Sequence, residues 1–264
     1  MLLDGIGCLV RYFELLESNP NIKLLLNQSP RTKGGVVNHP PFVIELLDLL
    51  GIDWEYTDEH CVYERVYFGD TIGQEGTGKR IRPDNRQYAL LEQCIHRAKL
   101  TAQAPQHEKI YLSRRAHANP LTNRKSVIGE DNTVKRGLTN EDSVVEILTD
   151  MGYTEVFGEN YTLAEKIVLF NGMKKYISTA GAGVANMLWT MPNSVSVGGI
   201  HTPGFPFPSN NHSTHICTGL EVNCTIDVYK SEVLFVDPVA GAKNYNSPWY
   251  INNLVAFKNW AHTI

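Results

Sequence analysis

Residues 174–192 read KKYISTAGAGVANMLWTMP, and this stretch decides the fold. Tyr176 to Ser178 has the make-up of a buried strand end, Gly181-Ala182-Gly183 is a tight small-residue turn, and Val184 to Trp189 suits the first turns of a helix. A strand, a glycine turn and a helix N-terminus form a natural anion site. The first N–H groups of a helix lack intrahelical partners, its dipole places partial positive charge there, and glycines admit a phosphate close to the backbone. Gly-x-Gly turns also open helices that bind nothing, so the stretch acquires meaning from its neighbours.

Working outward, residues 109–236 predict an alternation of strands and helices. Strands are expected at Ile110–Leu112, Glu155–Phe157, Tyr176–Ser178, Ser194–Val197 and Glu232–Val236, and helices at Glu141–Met151, Leu163–Phe170 and Ala185–Thr190. Such alternation implies a mainly parallel sheet covered on both faces, with ligands at the carboxyl ends of its strands. Upstream, the pattern predicts an amphipathic helix within Leu2–Leu16, strands at Ile22–Leu26 and Tyr63–Phe68, and a helix Phe42–Leu50 opened by Pro40-Pro41 and closed by Gly51. Starting almost inside a helix, this first unit reads as one from which a preceding strand is missing. A further helix is expected over Tyr88–Leu100, with Ala89, Leu90, Cys94, Ile95 and Ala98 on its apolar side, and the polar run Thr101–Glu108 reads as a linker. Trp249–Ile264 reads as one last helix that packs back on the first half.

Composition narrows the classes. Hydrophobic residues are 42% and charged residues 20% of 264, as in soluble globular proteins, and the net charge of -4 argues against nucleic acid as the main partner. No apolar run reaches the roughly 18 to 20 residues of a membrane span, and Asp4 with no basic n-region does not read as a signal peptide. Cys8, Cys61, Cys94, Cys217 and Cys224 are scattered without metal-ligand spacing and read as reduced, mostly buried thiols. Asn-x-Ser/Thr sequons at Asn27, Asn160, Asn211 and Asn223 are no more than an Asn-rich chain carries by chance.

Two stretches invite a phosphate. Gly73, Gly78 and Lys79 match most of a Walker A pattern, but Arg80 stands where Ser or Thr would hold magnesium, so the segment reads as a basic loop, solvated or beside a cleft. Ser113-Arg114-Arg115 follows an expected strand directly, and Arg136 precedes a helix start. The fixed fork of arginine suits a diphosphate, and the expected sheet would bring these residues to the same edge as the glycine turn. Arg124, Lys125 and Lys135 also lie in this stretch; the two lysines read as solvated charges.

The order of Ser113-Arg114-Arg115 after a strand, then RGLTNEDSVVEIL (136–148), then residues 151–197 through the glycine turn, resembles the catalytic domain of glycosyltransferase family 61. The shared elements are an arginine-bearing strand end, an R-x-(I/L)-x-N-E segment, a Glu-bearing helix after a strand and loop, and a G-A-G/A-L-x-N turn. The likeness spans about residues 109–200. Lys166 departs from the family's usual Gln after Glu165, and Ala180 from the His that commonly precedes the turn, which bears on the donor sugar more than on the fold.

The resemblance implies a GT-B architecture: two Rossmann-like domains facing a cleft, here 1–104 on the acceptor side and 105–247 for the nucleotide sugar, with 248–264 returning to the first domain. It implies transfer with inversion from a UDP-sugar, xylose first among xylose, arabinose and N-acetylglucosamine, to a hydroxyl of a glycan or glycoprotein, with no obligatory metal and no other cofactor. Carried onto this chain, Ser113, Arg114 and Arg136 would hold phosphates, Arg115 would belong to the same nucleotide-sugar site, and Asn140 and Glu141 would order the loop or touch the donor. Glu165 and Asn186 would lie in the same site, and Gly181, Ala182, Gly183 and Val184 would cradle the diphosphate. A general base must take the acceptor proton. Asp4 lies near the place where the family's first helix often begins beside a His and is the candidate; Asp70, Glu75, His39, His117 and His201 remain open as alternatives. The other functional class is a nucleotide- or glycan-binding module of the same fold that has lost turnover. No leader or anchor is evident, which suggests a cytoplasmic enzyme, whereas an excised eukaryotic domain would belong to the secretory pathway.

Overall fold

The computed structural model describes residue 9 and residues 12–26, 29–32, 35–37, 41–56, 62, 65, 66, 85–113, 138, 140–179, 182–190, 195–201, 224–230, 232–233 and 249–264. The expected strand Tyr63–Phe68 and the Walker-like loop lie almost wholly outside them.

Five parallel strands form the central sheet: β5 (Lys109–Leu112), β6 (Thr154–Val156), β7 (Lys175–Thr179), β8 (Val195–His201) and β9 (Cys224–Lys230), in the spatial order β6-β5-β7-β8-β9. From β5 the chain crosses to β6 on one side, then returns past β5 to β7 and continues outward. The strand order therefore reverses between β5 and β7, whose paired residues include Tyr111 with Ile177 and Leu112 with Ser178. The strand expected at Glu232–Val236 is present at Glu232–Val233, with residues 234–236 outside the described ones, but it is not part of the parallel sheet. The fifth parallel strand is Cys224–Lys230, whose seven residues pair with β8 throughout, whereas β10 (Glu232–Val233) pairs antiparallel with β11 (Trp249–Tyr250).

Strand alternation sorts the core into two clusters. Ile110, Tyr176, Val195 and Val197 face the helices α3 (Asn85–Thr101) and α5 (Leu163–Asn171) and the 3-10 helix Ala182–Thr190; Tyr111, Ile177 and Ile200 face α4 (Glu141–Asp150) and the C-terminal α6 (Leu254–Thr263). Both faces of the sheet are thus covered, as a parallel sheet requires. Along α3 the buried positions are Leu90, Leu91, Cys94, Ile95 and Ala98, and Ala89 is exposed: Leu91 takes the place expected of Ala89. The supposed linker packs as well, since Ala102 and Ala104 lie against the core and Gln106 Nε2 donates to the Val168 carbonyl at 3.0 Å.

In the first part of the chain, helix α1 covers residues 12–18. A parallel pair, β1 (Leu24–Leu26) with β4 (Trp54–Tyr56), brackets α2 (Pro41–Leu50). Proline at the first helical position has a suitable φ and needs no N–H there, and Gly51 at φ 65° ends the helix in the left-handed conformation that glycine adopts without strain. Between them β2 (Ser29–Thr32) and β3 (Gly35–Val37) pair antiparallel, a hairpin the periodicity does not announce. Leu46, Leu47 and Leu50 of α2 share one cluster with α3, α5 and the sheet, so the core runs without interruption across the expected boundary at 104/105. The two facing Rossmann-like domains of a GT-B enzyme are a finer statement than this α/β architecture with parallel sheets.

Trp249–Ile264 is not one helix. Asn253 caps α6, its side-chain oxygen accepting from the Ala256 N–H at 2.9 Å, and the residues before it turn into β11. Nor do the described contacts of α6 run to the first half: Phe257, Ala261 and Ile264 pack with Val144 and Leu148 of α4 and with Tyr111, Ile177 and Ile200 of the sheet. Gly198 makes the close approach possible. A Cβ there would lie 2.9 Å from Trp260 Cη2, 3.0 Å from Ile177 Cγ1 and 3.1 Å from Ile264 Cγ1.

Two consequences are measurable. Gly198→Ala forces the rigid Trp260 ring off the sheet and lowers unfolding stability by about 1–3 kcal/mol in urea, whereas an unchanged midpoint contradicts this docking. Burial pushes the Cys94 thiol up to about 12, against a smaller opposing effect of the Arg97 charge, and pushes the Tyr153 hydroxyl up to about 12. Both folded-state values exceed the unfolded ones, 9.0 and 10.0, so this stability is complete below pH 9.0 and is lost as pH rises toward 12. A pH series of melts should show that decline, and equal stability at pH 8 and pH 11 would contradict it.

Candidate active site

The carboxyl ends of β5 and β7 lie side by side at the reversal of strand order, the position where open α/β sheets leave a crevice for ligands. Three elements meet there. Ser113 follows β5, with its N–H bonded to the Val156 carbonyl at 3.0 Å; the first turn of α4 brings Asn140 and Glu141; and the 3-10 helix Ala182–Thr190 starts just beyond β7.

Glu141 organises the β5 side. It is 3% exposed, and its Oε1 accepts from the Ser113 hydroxyl and from the Tyr111 hydroxyl, each at 2.8 Å. Tyr111 and Ser113 share a face because they are two residues apart, and α4 lies over that face. Asn140, the N-cap residue of α4, makes no side-chain cap bond. Its Nδ2 donates to the Ile251 carbonyl at 2.8 Å and its Oδ1 accepts from the Ile251 N–H at 3.1 Å.

On the opposite face Tyr176 holds the turn. Its hydroxyl donates to the Gly183 carbonyl at 2.7 Å, and its ring packs edge-on against Phe170 with centroids 5.7 Å apart. Gly183 sits over the end of β5, where a Cβ would lie 2.5 Å from Leu112 Cδ2. The glycine leaves room for this Leu112 methyl, a side-chain tip able to turn away, so packing favours a small residue here without demanding glycine. The far end of the helix is tied to α5 by Asn171 Nδ2 on the Trp189 carbonyl at 2.7 Å. At the end of β7, Ser178 Oγ and Thr179 Oγ1 are buried, 1% and 2% exposed, without a hydrogen-bond partner among the described residues. A buried hydroxyl left unpaired costs about 1–3 kcal/mol, and two occur consecutively at this strand end.

Of the residues singled out in the sequence, Ser113, Asn140, Glu141 and Gly183 come together here. The backbone of Ala182 and Val184 opens the same 3-10 helix, and Asn186 is half-buried on its second turn. Glu165 does not join them. It is the third residue of α5, where its Oε2 accepts from the Thr162 N–H at 2.8 Å while its own N–H bonds the Thr162 hydroxyl at 3.3 Å, a capping box. The motif Thr-x-x-Glu announces that role. Asp4, Arg114, Arg115, Arg136 and Gly181 lie outside the described residues, as do His39, Asp70, Glu75 and His117; of His201 only the backbone is described. Tyr111, Tyr176 and Ile251 are participants that motif reading passes over, because two look like core aromatics and the third like a helix residue. Among the described residues no group of three or more His, Cys, Asp or Glu is placed to hold a metal, and no helix is long and apolar enough to cross a membrane.

Glu141→Ala deprives two buried hydroxyls of their acceptor and should cost about 2–4 kcal/mol of stability, with Glu141→Gln, which retains an oxygen, costing less. Denaturant titration measures both. Loss of under about 0.5 kcal/mol from the alanine variant would contradict this organising role.

The family model for Glycosyltransferase 61 matches residues 78–197, which takes in α3, β5, the Asn140-Glu141 segment, the glycine turn and the start of β8. No match was found among curated proteins.

Proposed function

We propose, on the premise that residues 78–197 are a glycosyltransferase 61 segment, that this protein transfers a sugar from a UDP-sugar to a hydroxyl of a glycan or glycoprotein with inversion at the anomeric carbon. A transferase with a sugar donor and an acceptor is what the family supports; the nucleotide, the sugar, the acceptor and the stereochemistry are our reading. The observation that carries it is the meeting, within the matched segment, of a helix N-terminus and the Ser113–Glu141 pair at the switch of strand order. Helix N–H groups and a strand-end crevice suit a diphosphate, and the unpaired hydroxyls of Ser178 and Thr179 at that strand end are groups a polar ligand would satisfy.

In this reading the acceptor O–H loses its proton to a base, for which Asp4 is the candidate. The oxygen attacks the anomeric carbon from the side opposite UDP, and the bond from that carbon to the diphosphate oxygen breaks. Negative charge grows on the departing UDP. Arg114, Arg115 and Arg136, together with the N–H groups at residues 182–184, are assigned to stabilise it, a task that arginines perform without an obligatory metal. Xylose is the donor sugar we assign first. Lys166 and Ala180 stand where the family's usual Gln and His would be, which also supports a second reading, a nucleotide- or glycan-binding module without turnover.

Thermal melts with UDP, UDP-xylose, UDP-N-acetylglucosamine, GDP and ATP, in EDTA, test the reading. At about 100 times Kd a bound uridine ligand stabilises by about 2.7 kcal/mol, or roughly 5–10 °C for a chain of this size. A shift confined to uridine ligands, with slow release of UDP from one sugar, is the expected result. Binding without release favours a nucleotide-binding module, and no shift with any of the five contradicts the transferase and that module alike.

A further inference from the structure

The C-terminal segment lies beyond the family match, which ends at residue 197, yet it is joined to the most site-proximal turn of the matched part. The joint is Asn140. Its side chain pairs with both backbone groups of Ile251 across 111 residues of sequence, and makes no bond to the helix it precedes. An asparagine at an N-cap ordinarily turns its oxygen onto the helix's own N–H groups; here the amide reaches across to another segment like one residue of a β-bridge. Immediately after Ile251, Asn253 caps α6, and α6 packs on α4 and against Gly198. Next to Asn140, Glu141 holds Ser113 at the switch of strand order.

We infer that Asn140 is a positioning residue and not a ligand contact: it seats residues 249–264 on the edge of the proposed nucleotide-sugar site, making this C-terminal segment part of the binding unit. The ligand half of this inference rests on the proposed function. The seating half rests on the two hydrogen bonds alone. Because the side chain does no capping, its removal leaves the helix start intact and reports on the joint.

The test is amide hydrogen exchange and UDP binding measured on the full chain for wild type, Asn140→Ala and Asn140→Asp. Alanine removes both bonds; aspartate keeps the oxygen that accepts from the Ile251 N–H and sets a carboxylate against the Ile251 carbonyl, so it separates the accepted bond from the donated one if alanine folds poorly. Exchange at Ile251 should accelerate at least about tenfold in Asn140→Ala, with β5 amides unchanged, and less in Asn140→Asp. The Kd for UDP should rise about three- to tenfold in the same order. Unchanged protection at Ile251 with lost UDP binding would make Asn140 a ligand contact and overturn the inference. Lost protection with unchanged UDP binding would place the segment outside the binding unit. If the wild-type chain itself takes up no UDP, the functional reading fails and the ligand half with it, while the exchange data still decide the seating.

Discussion

The parallel pairing of β5 with β7 is the constraint from which the rest follows. Once β6 has been laid on the far side of β5, this pairing forces the chain to reverse direction across the sheet, which opens the edge between two strand ends. The pleat then determines who faces whom. Tyr111 and Ser113 point to the side where α4 brings Glu141, and Tyr176 points to the side where it can reach the Gly183 carbonyl. One sheet edge thus acquires a buried carboxylate on one face and a pinned helix start on the other.

The same geometry explains which glycines the fold needs. Gly51 supplies a left-handed backbone, whereas Gly183 and Gly198 supply room, one for Leu112 and the other for Trp260 and Ile264. At Gly183, part of the turn expected to cradle a phosphate, the structure shows a packing reason for a small residue. Phosphate binding can coexist with the packing reason but is not required by it; the convergence of elements at the strand ends and the family-model match over residues 78–197 are independent of both.

Much of the second half was legible in the sequence, since β5, β6 and β7 are short apolar runs and α4 and α5 carry helical periodicity between them. What failed depended on distant partners. Cys224–Lys230 is a strand because Val195–His201 offers it an edge, and the pattern favoured Glu232–Val236 only by its apolar run. Trp249–Tyr250 and Ile251 have helical company in sequence but find β10 and Asn140 in space. Glu165 shows another case: the family resemblance implies a site role, while the structure gives it the capping box with Thr162 that its local motif describes. The family resemblance pointed to the neighbourhood of the candidate site; burial and hydrogen bonding show which of its residues serve the architecture.

The central claim is that a nucleotide diphosphate binds at the edge between β5 and β7. A crystal structure of the full chain with UDP tests it most directly. The account predicts the diphosphate within hydrogen-bonding distance of the N–H groups of residues 182–184, beside Ser113, with Asn140 still bonded to Ile251. UDP bound at any other edge of the sheet, or a diphosphate held away from the 182–190 helix, would contradict it.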